Sequence, residues 1–110
     1  MGLRFKGAHE LCVALEKKAD LGQVKQIVRK HGAELQTKAM RNAPVDTGAM
    51  KRSISLEIQQ GGLSAKIEPK AEYSAYVEYG TRYMEAKPFV GPAFNEQKEE
   101  FKRDLDKLVK

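Results

Sequence analysis

The sequence has no tryptophan, a single cysteine and two histidines, and nowhere does it offer a run of about twenty apolar residues. Each shortage excludes something. A lone cysteine, Cys12, cannot form a disulfide within the chain, and its place on the apolar side of a predicted helix is where a buried thiol is usual. Without a long apolar run no segment can cross a bilayer as a helix. The opening Met1-Gly2-Leu3-Arg4-Phe5-Lys6 has no apolar signal core, so a protein made and kept in the cytoplasm is expected. His9 and His31 fall in different predicted helices, which leaves no ligand motif for a metal. There is no Gly-x-Ser-x-Gly elbow, and Gly61-Gly62 lacks the further glycines or the Gly-Lys-Ser that cradle phosphates. The chain is therefore expected to have no catalytic residues, no cofactor and no metal, and not to be an enzyme.

What is present is enough for one folded domain spanning residues 1–110. Apolar residues make up 41% and charged residues 32% of the 110, too apolar a balance for disorder and long enough for a single core. The net charge is +5, unevenly spread. Residues 1–52 hold eleven Lys/Arg against five Asp/Glu, a net +6, and the remainder holds nine against ten, a net −1. Such a split suits a nucleic-acid surface, a chain whose basic and acidic faces meet on neighbouring copies, or an ordinary solvated face.

Periodicity places the elements. Leu3 to Lys6 reads as a short strand. Ala8, Leu11, Cys12, Leu15 and Ala19 recur at helical spacing and predict a first helix; Val24, Ile27, Val28, His31, Leu35 and Ala39 predict a second, longer one ending near Asn42 ahead of Pro44. Gly32 inside that helix costs about 1 kcal/mol relative to alanine, which points to close packing or a bend. His31 lies on the apolar stripe and is expected to be partly buried and hydrogen-bonded. Ala43-Pro44-Val45-Asp46-Thr47-Gly48 has the composition of a tight loop. Ile54, Leu56 and Ile58 alternate with Ser53, Ser55 and Glu57, Gln59 to Gly62 reverses the chain, and Leu63, Ala65 and Ile67 alternate again. This predicts an antiparallel hairpin over about 53–68 packed on the long helix.

Tyr73, Tyr76, Tyr79 and Tyr83 follow at helical spacings, with Gly80 placed as a cap. Four amphipathic aromatics suit a core edge or a protein interface, the core edge being the commoner use. Glu72, Glu78 and Glu85 accompany them, with Arg82 the one basic residue in the row, unlike a base-stacking platform. Pro92 is placed to open a last helix with Phe94, Phe101, Leu105, Leu108 and Val109 inward and mixed charge outward. The expected fold is α+β: an N-terminal helix pair and a C-terminal helix against a small antiparallel sheet.

Three blocks, taken in order, carry a resemblance. They are Ala43 to Gly48 with Lys51-Arg52-Ser53-Ile54, then Tyr73-Ser74-Ala75-Tyr76-Val77-Glu78-Tyr79-Gly80-Thr81, then Met84 through Ala93. Together they resemble the tail-component or neck-protein family of tailed phages typified by gene product ten of phage HK-ninety-seven, over nearly the full chain. Ala49 and Met50 depart from it, standing where the family usually has a large apolar residue. The resemblance implies a structural protein of a phage or prophage, assembled in the bacterial cytoplasm into the virion. It further implies an oligomeric ring at the neck or tail end, between portal and tail tube, with a hexamer matching the sixfold symmetry of the tail side. The partners would be other copies and other phage neck or tail proteins, with DNA passing through the ring and no membrane. Lys51, Arg52, Tyr73, Tyr76, Tyr79, Arg82 and Phe89 are the candidate contact residues, and the bends at Pro44 to Gly48 and Gly80 to Gly91 the candidate contact loops. The alternative is a small basic nucleic-acid-binding protein, drawing on Lys17, Lys18, Lys25, Arg29, Lys30, Lys38, Arg41, Lys51 and Arg52.

Overall fold

A computed structural model describes residues 2–4, 10–14, 21–43, 49–83 and 85–108. In chain order these form β1 (Gly2–Arg4), β2 (Glu10–Ala14), α1 (Leu21–Asn42), α2 (Ala49–Ser53), β3 (Ile54–Gln59), β4 (Ser64–Pro69), α3 (Ser74–Tyr79) and α4 (Val90–Leu108), with a single 3-10 turn, Gln60–Gly62, between β3 and β4. The strands make one antiparallel sheet in the order β1-β2-β4-β3. Helix α1 lies against β3 and β4, and α4 packs on α1. The fold class is α+β, as expected.

One expected element is different in kind. The segment read as the first helix of an N-terminal pair contains β2, with Cys12 in a strand whose backbone registers against Arg4 on one side and Ser64 on the other. The helical spacing of Leu11, Cys12 and Leu15 coincides with an unbroken apolar run, Leu11-Cys12-Val13-Ala14. Such a run also suits a strand with neighbours on both edges, and periodicity alone does not separate the two. The other expected bounds hold more closely: the long helix ends at Asn42, and the hairpin occupies 54–69. His9 and the Pro44 to Gly48 loop lie outside the described residues.

The core is built from both sides of α1. Val24, Val28, Leu35 and Ala39 are buried, joined by Leu11, Ala65 and Ile67 of the sheet and by Val90, Ala93, Phe101 and Leu105 of α4. Fully burying each larger apolar side chain stabilises the fold by about 1.5–3 kcal/mol. Gly32 faces the sheet, where a Cβ would stand 2.9 Å from Ala65 Cβ and 3.0 Å from a Leu56 methyl. Close packing is thus the reason for that glycine. The β3–β4 turn needs backbone in the left-handed region at Gln60, Gly61 and Gly62, which explains its glycine pair. Strand β3 is an edge, and its apolar face fades from buried Ile54 to exposed Ile58.

Candidate interaction surface

The tyrosine row begins where the sheet ends. The Lys70 N–H donates to the Ser53 carbonyl at 3.0 Å, so the chain leaves β4 beside the junction of α2 and β3. Lys51 and Arg52, in the last turn of α2, thereby sit at the same end of the molecule as the start of the row. Arg52 is exposed and Lys51 half-buried.

Helix α3 is only six residues long, too short to persist on its own. What holds it is Glu78. Its side chain points inward, 8% exposed. One oxygen, Oε1, accepts from the N–H groups of Phe89 at 3.1 Å and Val90 at 2.9 Å, while Oε2 accepts from Gly91 at 3.0 Å. These are the free amides at the start of α4, and the fourth position of that turn is Pro92, which has no N–H to satisfy. A carboxylate at the positive end of a helix is also favoured by the helix dipole. Gly91 is needed for the approach, since a Cβ there would lie 3.0 Å from Glu78 Oε2. The Lys87 N–H donates to the Val77 carbonyl at 2.8 Å. Gly80, at φ 79°, closes α3 by donating to the Tyr76 carbonyl at 2.8 Å.

With Glu78 turned inward, the tyrosines face out. Tyr73, Tyr76, Tyr79 and Tyr83 are 43%, 58%, 69% and 88% exposed, which corrects the expectation of a core edge. Together they leave roughly 500 Å² of tyrosine surface in solvent, taking about 200 Å² for a whole ring side chain. Exposed tyrosines of this kind are enriched at protein interfaces. Arg82 is exposed and lies over the Tyr83 ring, 5.6 Å from its centroid, a cation–π contact. Phe89 is placed otherwise. It is fully buried, its N–H bound by Glu78 and its carbonyl accepting from the Asn42 side-chain amide at 3.4 Å. Its side chain supports the surface from inside and is not part of it.

The charges of the two halves meet inside the subunit. Lys30 pairs with Asp104 at 3.4 Å, and Lys38 pairs with Glu100 at 3.1 Å and Glu96 at 3.4 Å, each joining α1 to α4. His31 is 2% exposed. Its Nε2 bonds Asp104 at 2.6 Å, its Nδ1 bonds the Gln97 amide, and its ring lies 5.4 Å from that of Phe101. The His31 hydrogen bond holds the Asp104 carboxyl below the usual aspartate range, against the opposing effect of burial and with help from the charges of His31 and Lys30. The expectation of a buried, hydrogen-bonded histidine therefore holds. Among the described residues, no helix is long and apolar enough to cross a membrane.

In the sequence Glu78 is only an acid among tyrosines. The signal that could have found it is the N-terminus of α4, where Phe89 supplies no capping oxygen of its own. A partner from elsewhere in the chain was required.

No curated protein and no solved structure matches the chain. Comparison with protein families gives a match over residues 13–80 to the family described as "Bacteriophage HK97-gp10, putative tail-component". The match runs from β2 through Gly80, and so takes in the Lys51-Arg52 turn and the tyrosine row as far as the glycine that closes α3. The Met84 to Ala93 block, counted in the sequence resemblance, lies beyond it. Since the match covers more than half of the chain, the protein belongs to this family of phage tail components.

Proposed function

We propose that this subunit acts as a structural part of a tailed-phage particle, joining copies of itself and other phage proteins in a ring at the neck or tail end, and that it catalyses no reaction. The observation that carries this reading is the exposed tyrosine row in and beside a short helix that a buried carboxylate clamps to the rest of the fold. Tyrosine gives large contact area at little conformational cost and is enriched at interfaces. About 500 Å² of it is a substantial part of the roughly 800 Å² that each partner contributes to a standard interface. A ring requires head-to-tail contact between unlike patches of identical subunits. Exposed Arg52 and half-buried Lys51, at the same end of the molecule, extend the contact area with positive charge.

The test is a Tyr76→Ser, Tyr79→Ser double variant. Both side chains are largely solvated, so each change should alter stability by no more than about 0.5 kcal/mol. The folded variant should fail to enter particles in a complementation assay, and to form oligomers under conditions where the parent does. Normal assembly would refute the reading.

The nucleic-acid alternative loses support from the structure. Lys30 and Lys38, two of its basic residues, are engaged with acids of α4, and exposed Glu72 and Glu85 flank the tyrosines. Phosphate-driven binding falls steeply with salt. DNA binding that is flat or absent at about 0.15 M salt is expected here.

A further inference from the structure

We propose that the tyrosine face of one copy docks on a second surface at the opposite end of the next copy, formed by Leu21, Lys25, Arg29 and Ile58. This rests on the reading of the tyrosine row as an interface and adds what the row meets. A head-to-tail contact needs two unlike patches on each subunit, and the tyrosines supply one. Among the described residues, the other exposed large apolar side chains are Leu21 and Ile58, 45% and 38% accessible.

The fold places these two together and away from the tyrosines. Helix α1 runs along the hairpin: Gly32 packs on Leu56 and Ala65, and Lys25, two turns earlier, packs against Gly62 in the β3–β4 turn. Leu21, one turn before Lys25, therefore reaches the end of the hairpin where Ile58 stands. The tyrosine row begins at the other end, where β4 finishes opposite Ile54 and Asn42, at the close of α1, bonds the Phe89 carbonyl. The 22 residues of α1 put about 33 Å between the two ends. Unlike patches so placed link copies in a row, which closes as a ring when the rotation at each contact allows it.

The chemistry of this second patch fits phenol rings. Leu21 and Ile58 offer apolar surface to the body of each ring. Lys25 and Arg29, at i and i+4 on α1, are exposed and enter no ion pair among the described residues. Such cations are attracted to the faces of tyrosine rings, as Arg82 is to Tyr83, and they suit the exposed acids beside the row, Glu72 and Glu85. Exposed Glu57, on the same strand as Ile58, is the acid that can meet Arg52. The phenol hydroxyls require polar partners, and the edge of β3 supplies them. The Ser53 carbonyl accepts from the Lys70 N–H, and pairing alternates from there. Ser55, Glu57 and Gln59 thus turn their N–H and C=O groups to β4, while Leu56 and Ile58 turn theirs to the open edge. Among the described residues nothing bonds these groups. Strand β3 has no lysine, proline or bulge to protect that edge, and such an edge invites another chain. A neighbour's tyrosines cover it.

Sedimentation of the intact subunit tests this, using an acceptor variant, Leu21→Glu with Ile58→Lys, beside the tyrosine variant, Tyr76→Ser with Tyr79→Ser. An acid in the first turn of α1 suits the helix dipole and a lysine suits an edge strand, so the acceptor variant should stay folded by circular dichroism. The parent should associate in a concentration-dependent way, and each variant at least about tenfold more weakly. Mixed in equal amounts, the two variants should form a heterodimer and nothing larger, because each keeps one working surface. Lys25→Gln with Arg29→Gln, both at exposed helix positions, should weaken association severalfold without touching the fold. The proposal is overturned by a parent that stays monomeric, by parent-like association of the acceptor variant or of the Lys25 and Arg29 variant, or by a mixture that forms no dimer. Parent-like association of the acceptor variant alone sinks this inference and leaves the tyrosine reading standing; the same result from the tyrosine variant sinks both.

Discussion

Replacing Glu78 with alanine should destabilise the subunit by about 2.5–8 kcal/mol. The figure follows from where the three amides at the start of α4 would be left. Phe89 and Val90 are buried, so their N–H groups would lose their acceptor without gaining water, at about 1–3 kcal/mol each. Gly91 is half-buried and can be rehydrated, so its loss resembles removal of an ordinary helix cap, about 0.5–2 kcal/mol. Against a total stability of about 5–15 kcal/mol, the variant should be marginal at physiological temperature. Glu78→Gln keeps one acceptor oxygen for Phe89 and Val90 but turns an NH₂ toward the Gly91 N–H, and should cost roughly half as much. Urea unfolding measures both, with an unchanged slope showing that the unfolded state is the same. Amide exchange should show lost protection in the first turn of α4 and in α3 together, because one side chain secures both. An alanine variant within about 1 kcal/mol of the parent, with that turn still protected, would show that Glu78 is not what caps α4.

Three further outcomes follow from the same structure. Gly32→Ala should destabilise by about 1–2 kcal/mol despite a gain of about 1 kcal/mol in helix propensity, because the new methyl meets Ala65 Cβ, which cannot rotate away; a melting temperature at or above that of the parent would contradict this. Phe101→Ala should cost about 3–5 kcal/mol, since the ring is fully buried and packs against His31, and denaturant midpoints will show it. Lys51→Glu with Arg52→Glu should leave the fold intact by circular dichroism while impairing oligomer formation, and normal oligomers from that variant would remove the charged part of the proposed contact.

The sequence was most legible where one kind of local pattern stood alone. The apolar stripe from Val24 to Ala39 has only one reading, and it is the helix observed. Alternation from Ile54 through Ile67 likewise has one reading. Leu11 to Ala14 had two, and the decision came from strands β1 and β4 on either side of it, contacts that no local spacing records. The short helix α2 was not foreseen, because five residues carry too little periodicity to announce themselves. For the surface, the spacing of the tyrosines was readable but their direction was not. That direction is set by Glu78, which must turn inward to reach amides more than ten residues away. The charge split had a similar fate: complementarity between the two halves was legible, but part of it serves the packing of α1 on α4 within one subunit.

The proposed contact between neighbouring subunits runs through the tyrosine face. The most direct measurement is a cryo-electron microscopy reconstruction of purified phage particles that carry the chain. A ring of copies at the neck or tail end is expected, with Tyr76 and Tyr79 buried against an adjacent protein and Glu78 still bound to the start of α4. Particles that lack the chain, or assembled copies whose tyrosines face solvent, would contradict it.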